Sequence, residues 1–219
     1  MGRPTPPGIG QELERGAPVS EAFRLAPEQP RVAGVGNLAA IVEQHPDHLA
    51  TGLADREGRI VDLGGGHGLL AQTLLILDDT SPGAIVVDKA VPPSAAKLHE
   101  ALVQAWPRLE GRVEFAAMGL DDVDVHGTDL VVSCHACGNL TDVVLDKAVS
   151  VRARVAVLPC CHHLKTGDTG GLSGWVDRAA AIDIMRAVRL GRCGYRIRTQ
   201  TIPMDITSKN RLLIGEPEA

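Results

Sequence analysis

Val61 to Leu75 reads VDLGGGHGLLAQTLL. A short apolar run with an acid inside it passes through three alternating glycines, Gly64, Gly66 and Gly68, straight into an apolar stretch of helical spacing. Glycines at such a junction let the chain turn tightly from strand to helix. They also let a ligand lie against backbone that a side chain would block. Position 69 is Leu69, so the spacing is not the G-x-G-x-x-G of a dinucleotide loop.

Outward from this loop the chain alternates. Short runs rich in Val and Ile recur as RIVDLG, AIVVD, RVEFAA, DLVVSC, RVAVLP, YRIRTQTIP and RLLIGEP, most of them separated by stretches of helical pattern. Near-continuous apolar strands joined by helices predict a parallel sheet covered on both faces. The last two runs lie close together around MDITSKN, which predicts a terminal hairpin and so one antiparallel strand. The expected fold is α/β, a doubly wound sheet of about seven strands with the last antiparallel. Upstream, RVAGVGNLAAIVEQHPDHLATGLAD has helical spacing interrupted at Pro46. Ten of the first thirty residues are Gly or Pro. The expected organisation is a flexible tail over residues 1–30 and one domain over 31–219.

The composition bounds the function. An apolar content of 44% in 219 residues suits one sizeable core. No segment approaches the ~18 uninterrupted apolar residues of a membrane span, and no leader pattern opens the chain. Five clustered cysteines do not form the dispersed framework of a secreted domain, so a reducing cytoplasm is expected. The formal net charge is −5, yet from Arg178 to Gly215 eight Lys/Arg stand against two acids. That quarter reads either as a solvated face or as a surface for phosphates.

The loop resembles the acidic-x-G-x-G-x-G motif of S-adenosylmethionine (SAM) binders, with Asp62 as the acid, and the strand order expected resembles the Rossmann-like fold of class I methyltransferases. The second strand ends at Asp88, where a carboxylate can accept both ribose hydroxyls of a nucleoside. After the third strand comes AAMGLDDVD, in which Asp121 or Asp122 lies where such enzymes contact adenine; Asp121 is taken as the candidate. The resemblance therefore implies SAM as cofactor, held by Asp62, Gly64, Gly66, Gly68, Asp88 and Asp121.

Two cysteine clusters, SCHACGNLTD and LPCCHHL, end the fourth and fifth strands. In an open sheet that is where ligands bind. Cys134 and Cys137 with Cys160 and His163 have the pairwise spacing of a zinc site, Cys134 and Cys137 alone that of a redox pair, and all could line an acceptor pocket with His135 or His162 as general base. The last reading is adopted, with no metal assigned. It makes His135, Cys137, Asp142, Cys160, His162 and His163 the candidate catalytic residues. The His-x-Cys-Gly-x-x-Thr-Asp stretch (His135, Cys137, Gly138, Thr141, Asp142) and Cys160 to His163 resemble a SAM-dependent methyltransferase-domain family that includes tRNA 2′-O-ribose methyltransferases. Those enzymes carry a lysine where this chain has Cys134. The resemblance implies methyl transfer to RNA; a small-molecule acceptor and a non-catalytic SAM- or zinc-binding module are the alternatives, and no membrane partner is expected.

Overall fold

The computed structural model describes residues 58–78 and 80–218. The expected tail and the helical pattern around Pro46 lie outside them. Seven strands form one sheet: β1 (Ile60–Leu63), β2 (Ala84–Asp88), β3 (Val113–Ala117), β4 (Leu130–Ser133), β5 (Arg154–Val157), β6 (Tyr195–Thr201) and β7 (Arg211–Pro217). Their order is β3-β2-β1-β4-β5-β7-β6. β1 to β5 pair in parallel, and β7 runs antiparallel between β5 and β6. The seven runs expected from the sequence are the seven strands, and the terminal pair supplies the antiparallel member.

Among the described residues four α-helices accompany this sheet: α1 (Leu69–Leu77), α2 (Ser94–Ala105), α3 (Leu140–Val151) and α4 (Arg178–Arg192). β1 and β4 are buried along their whole length, as a central strand covered on both faces must be. α1 reads LLAQTLLIL, and its one long polar side chain, Gln72, is fully buried but satisfied. Gln72 donates to the Gly68 carbonyl at 3.1 Å and meets His99 Nδ1 at 2.8 Å. α4 begins where the Asp177 carboxylate accepts the Ala180 N–H at 2.9 Å, an N-cap that fixes the first turn.

The core joins β1, β2, β4 and β5 to α3 through Val61, Val87, Val131, Val144, Leu145 and Val155. At its far end the Tyr195 hydroxyl donates to the Ala148 and Ala153 carbonyls at 3.0 and 2.9 Å, tying β6 to α3. Among the described residues no helix is long and apolar enough to cross a membrane.

Candidate active site

The chain leaves β1 toward β2 and β3, then returns to β4 and continues to β5 on the other side of β1. The reversal between β1 and β4 opens the crevice in which such sheets bind ligands. Ser133 closes its floor: its hydroxyl donates to the Leu63 carbonyl at 2.6 Å and accepts the Ala136 N–H at 3.1 Å. A Cβ on Gly64 would stand 3.5 Å from Ala136 N, so the glycine loop and the β4 loop share this edge.

Two glycines in the loop serve different ends. Gly68 (φ +69°) is pressed against the sheet, where a Cβ would meet Val86 at 2.8 Å and Phe115 at 2.9 Å. Gly66 (φ +54°) faces open space, with nothing nearer to its Cβ position than Asp88 Oδ2 at 4.0 Å. The Gly66 N–H donates to Asp88 Oδ2 at 3.1 Å, and the Lys89 N–H donates to Oδ1 at 2.7 Å. These bonds aim a carboxylate at the rim of the cradle while leaving each oxygen lone-pair capacity for another donor. A nucleoside cofactor whose ribose presents two hydroxyls fits that open cradle and its acid. SAM would supply an activated methyl group; Gly64, Gly66 and Asp88 would hold and orient it.

Asp62 occupies a different place from the one its motif suggests. It lies under the loop, only 1% exposed, and a Cβ on Gly65 would touch its Oδ2 at 2.8 Å. Oδ2 is the one buried side-chain oxygen or nitrogen without a hydrogen-bond partner among the described residues. Burial pushes the carboxyl from its ordinary 3.8 up to about 7; the Asp88 charge adds to this, and a hydrogen bond from Ala71 opposes it. The folded state thus keeps a proton that the unfolded chain gives up. Stability is fully present below about pH 4 and falls as pH rises toward about 7, with a slope near 1.4 kcal/mol per pH unit. Thermal unfolding followed across that window should show the decline in the wild type and a flattened profile in Asp62→Asn.

On the other side of the crevice the residues singled out from the sequence divide into three groups. His135 and Cys137 are exposed on the β4 loop. Cys137, Cys160 and Cys161 converge, their sulfur atoms within 4.8 Å of one another and Cys137 Sγ 2.9 Å from Cys160 Sγ. Burial, and then the neighbouring Cys137 and Cys161 thiols, push the Cys160 thiol up to about 12. Cys134 is not in this group. Burial, and then the charge of Asp62, push its thiol up to about 12 as well.

Asp142 and His162 turn instead into a network built on α4. His162 Nε2 lies 2.7 Å from Asp183 Oδ1, and Arg211 Nε donates to Asp183 Oδ2 at 2.8 Å. Arg186 donates to Asp142 at 2.8 Å, to Asp183 at 3.2 Å and to the Gly138 carbonyl at 2.8 Å. Asp142 also pairs with Arg189 at 3.4 Å. The network grips both cysteine loops from behind, and the Gly138 N–H donates to the Cys161 carbonyl at 3.1 Å to join them.

His163 stacks so closely on Gly138 that a Cβ there would lie 2.2 Å from its ring. It lines a cavity of about 390 Å³ together with Asp142, Ile182, Met185, Arg186 and Arg189. None of the glycine-loop residues and neither Asp88, His135, Cys137 nor Cys160 lines that cavity. Asp121 is exposed in the turn after β3, and its carbonyl accepts from Lys147 Nζ at 2.8 Å. Cys161, Asp183 and Arg186 are the residues the sequence reading missed. The acid–base spacing of Asp183 and Arg186 on α4 was the available signal, hidden within a helix that reads as a solvated basic face.

Comparison with solved structures agrees with the topology. A Corynebacterium glutamicum protein solved as a structural-genomics target superposes with a TM-score of 0.52 at 15% identity, covering 95% of this chain and 93% of that one. An O-methyltransferase family protein from Burkholderia thailandensis gives 0.49 at 18% identity, covering 84% of this chain, which spans 59% of that chain's length. An O-methyltransferase of neocarzinostatin biosynthesis, in complex with SAM and 2-hydroxy-5-methyl naphthoic acid, gives 0.48 at 17% identity, covering 92% of this chain and 67% of that one. At 15% identity the likeness to the Corynebacterium glutamicum protein is one of fold alone. No curated protein matches the sequence. The family model described as a methyltransferase domain matches residues 31–166, and the chain belongs to that family of SAM-dependent methyltransferases.

Proposed function

We propose that the methyl acceptor is a nucleotide of RNA, presented to the cofactor at the carboxyl ends of β4 and β5. The observation that carries this reading is the cavity beside those ends, where Arg186, Arg189 and Arg192 gather with His163. Guanidinium groups on a concave surface suit a phosphate, although Asp142 and Asp168 share this lining, and phosphate contacts are what position a nucleic acid. In this reading Gly64, Gly66, Gly68 and Asp88 hold the cofactor, Asp62 supports their loop, and Asp121 stands on the adenine side. His135, exposed beside the shared edge, takes the acceptor's proton, with Cys137 and Cys160 as the wall of the pocket. Asp142 and His162 position these loops through α4, and His163 borders the phosphate cavity.

A second reading, a small anionic acceptor, is favoured by how the cations are engaged. Five of the eight in the C-terminal quarter face carboxylates: Arg186, Arg189, Arg196, Arg198 and Arg211. Less charge is then left for a long polyanion. Transfer of label from methyl-labelled SAM into a cell extract separates the two. Label in the RNA fraction that is lost with Asp88→Ala is the expected result. Label confined to small molecules overturns the RNA acceptor and leaves methyl transfer standing.

A further inference from the structure

We propose that Cys137, Cys160 and Cys161 bind one divalent cation of the zinc class through three thiolates, with a fourth coordination position open to solvent. Three sulfurs around one tetrahedral zinc stand ~3.8 Å apart, given Zn–S bonds of ~2.3 Å. Here all three lie within 4.8 Å of one another and Cys137 and Cys160 are 2.9 Å apart, so small side-chain rotations bring them onto a common centre. The donors are all soft sulfur, a set that selects zinc-class ions over magnesium or calcium.

The sulfurs are brought together from distant positions and held there. Cys137 precedes Cys160 by 23 residues, and parallel pairing of β4 with β5 sets their loops side by side. Residues flanking the thiols are anchored on buried side chains: the Gly138 carbonyl on Arg186, and His162 on Asp183. Such support behind a ligand loop is what fixes ligand geometry. The set differs from the one that spacing suggests: Cys134 and His163 stand outside the cluster, and Cys161 joins it.

Cys137 and Cys161 are exposed, and three protein ligands leave room for a water or a substrate atom, the pattern of a catalytic rather than a structural zinc site. Binding releases one proton from each thiol to solvent. An ion there would make a bound hydroxyl easier to deprotonate, a consequence that rests on the acceptor site proposed above.

The test is elemental analysis of untagged protein, purified under reductant, loaded with zinc and dialysed. About one zinc per chain is expected. Cys160→Ser combined with Cys161→Ser should lose it, whereas Cys134→Ser and Cys193→Ser should retain it. Calorimetric SAM binding by the double variant reports its folding independently and reads the cofactor site, not the metal. Should that variant not fold, cobalt loading of the wild type reads the same site through an intense sulfur-to-cobalt charge-transfer band. Wild type that holds no metal after loading, metal retained in the folded double variant, or cobalt without that band overturns the proposal.

Discussion

Replacing Asp88 with alanine is expected to weaken SAM binding by about two orders of magnitude, as read by titration calorimetry. Asp88 ends β2 at the rim of the glycine cradle, and the Gly66 and Lys89 N–H groups fix its carboxylate. Hydrogen bonds to a charged group contribute about 1.5–3 kcal/mol each, and two ribose hydroxyls would share this one acid. A combined loss near 3 kcal/mol corresponds to the expected change in Kd. Asp88→Asn keeps an acceptor for the Gly66 N–H but loses the charge, so it should fall between the two. Because Asp88 is only half-buried and outside the core cluster, the melting temperature of the unliganded protein should move little. A Kd within about threefold of wild type in the alanine variant would remove Asp88 from the cofactor site.

The second large effect falls on stability. Asp183→Ala should destabilise the protein by about 3–5 kcal/mol, because it strips one partner from a buried ionic network. Arg186 and His162 have side chains only 4% exposed, and both bond Asp183 Oδ1; Arg211 bonds Oδ2. Without that acid Arg186 keeps Asp142 and the Gly138 carbonyl, but its nitrogen facing Asp183 is left buried without an anion. For a domain of this size the loss should lower Tm by roughly 10 °C, checked by urea denaturation with an unchanged m value. The exposed pair Arg189–Asp146 offers the contrast. Asp146→Ala should cost less than about 1 kcal/mol, since a solvated ion pair gains little. If both substitutions cost alike, α4 does not clamp the two cysteine loops.

The fold was legible because its signals are local. β1, β2 and β4 are short runs dominated by Val, Ile and Leu, and the glycines of the first loop mark where strand becomes helix. The antiparallel member was legible from the short connection between the last two runs, which cannot hold a crossover helix. The site was legible only as a set of strand ends. Spacing grouped Cys134 with Cys137, but Cys134 follows Ser133 at the end of β4 and is half-buried, whereas Cys137 lies exposed beyond Ala136, whose N–H is held by Ser133, and meets the β5 loop. Nothing in a one-dimensional pattern reports on which side of the chain a thiol emerges.

The same limit applies to Asp142 and His162. Their place in a catalytic-looking motif gave no sign that α4 supplies Arg186, 44 residues after Asp142, and Asp183, 21 residues after His162, to hold them. Asp62 illustrates the converse. The motif singles out the acid in β1, but burial beneath Gly65 is a tertiary fact, and with it comes the raised pKa.

The most direct measurement is a crystal structure grown with S-adenosylhomocysteine. The ribose hydroxyls should lie on the Asp88 carboxylate, the nucleoside over Gly66, and the sulfur toward the ends of β4 and β5. Product found in the arginine-lined cavity beside α4, with Asp88 uncontacted, would contradict the assignment of the crevice between β1 and β4 as the cofactor site.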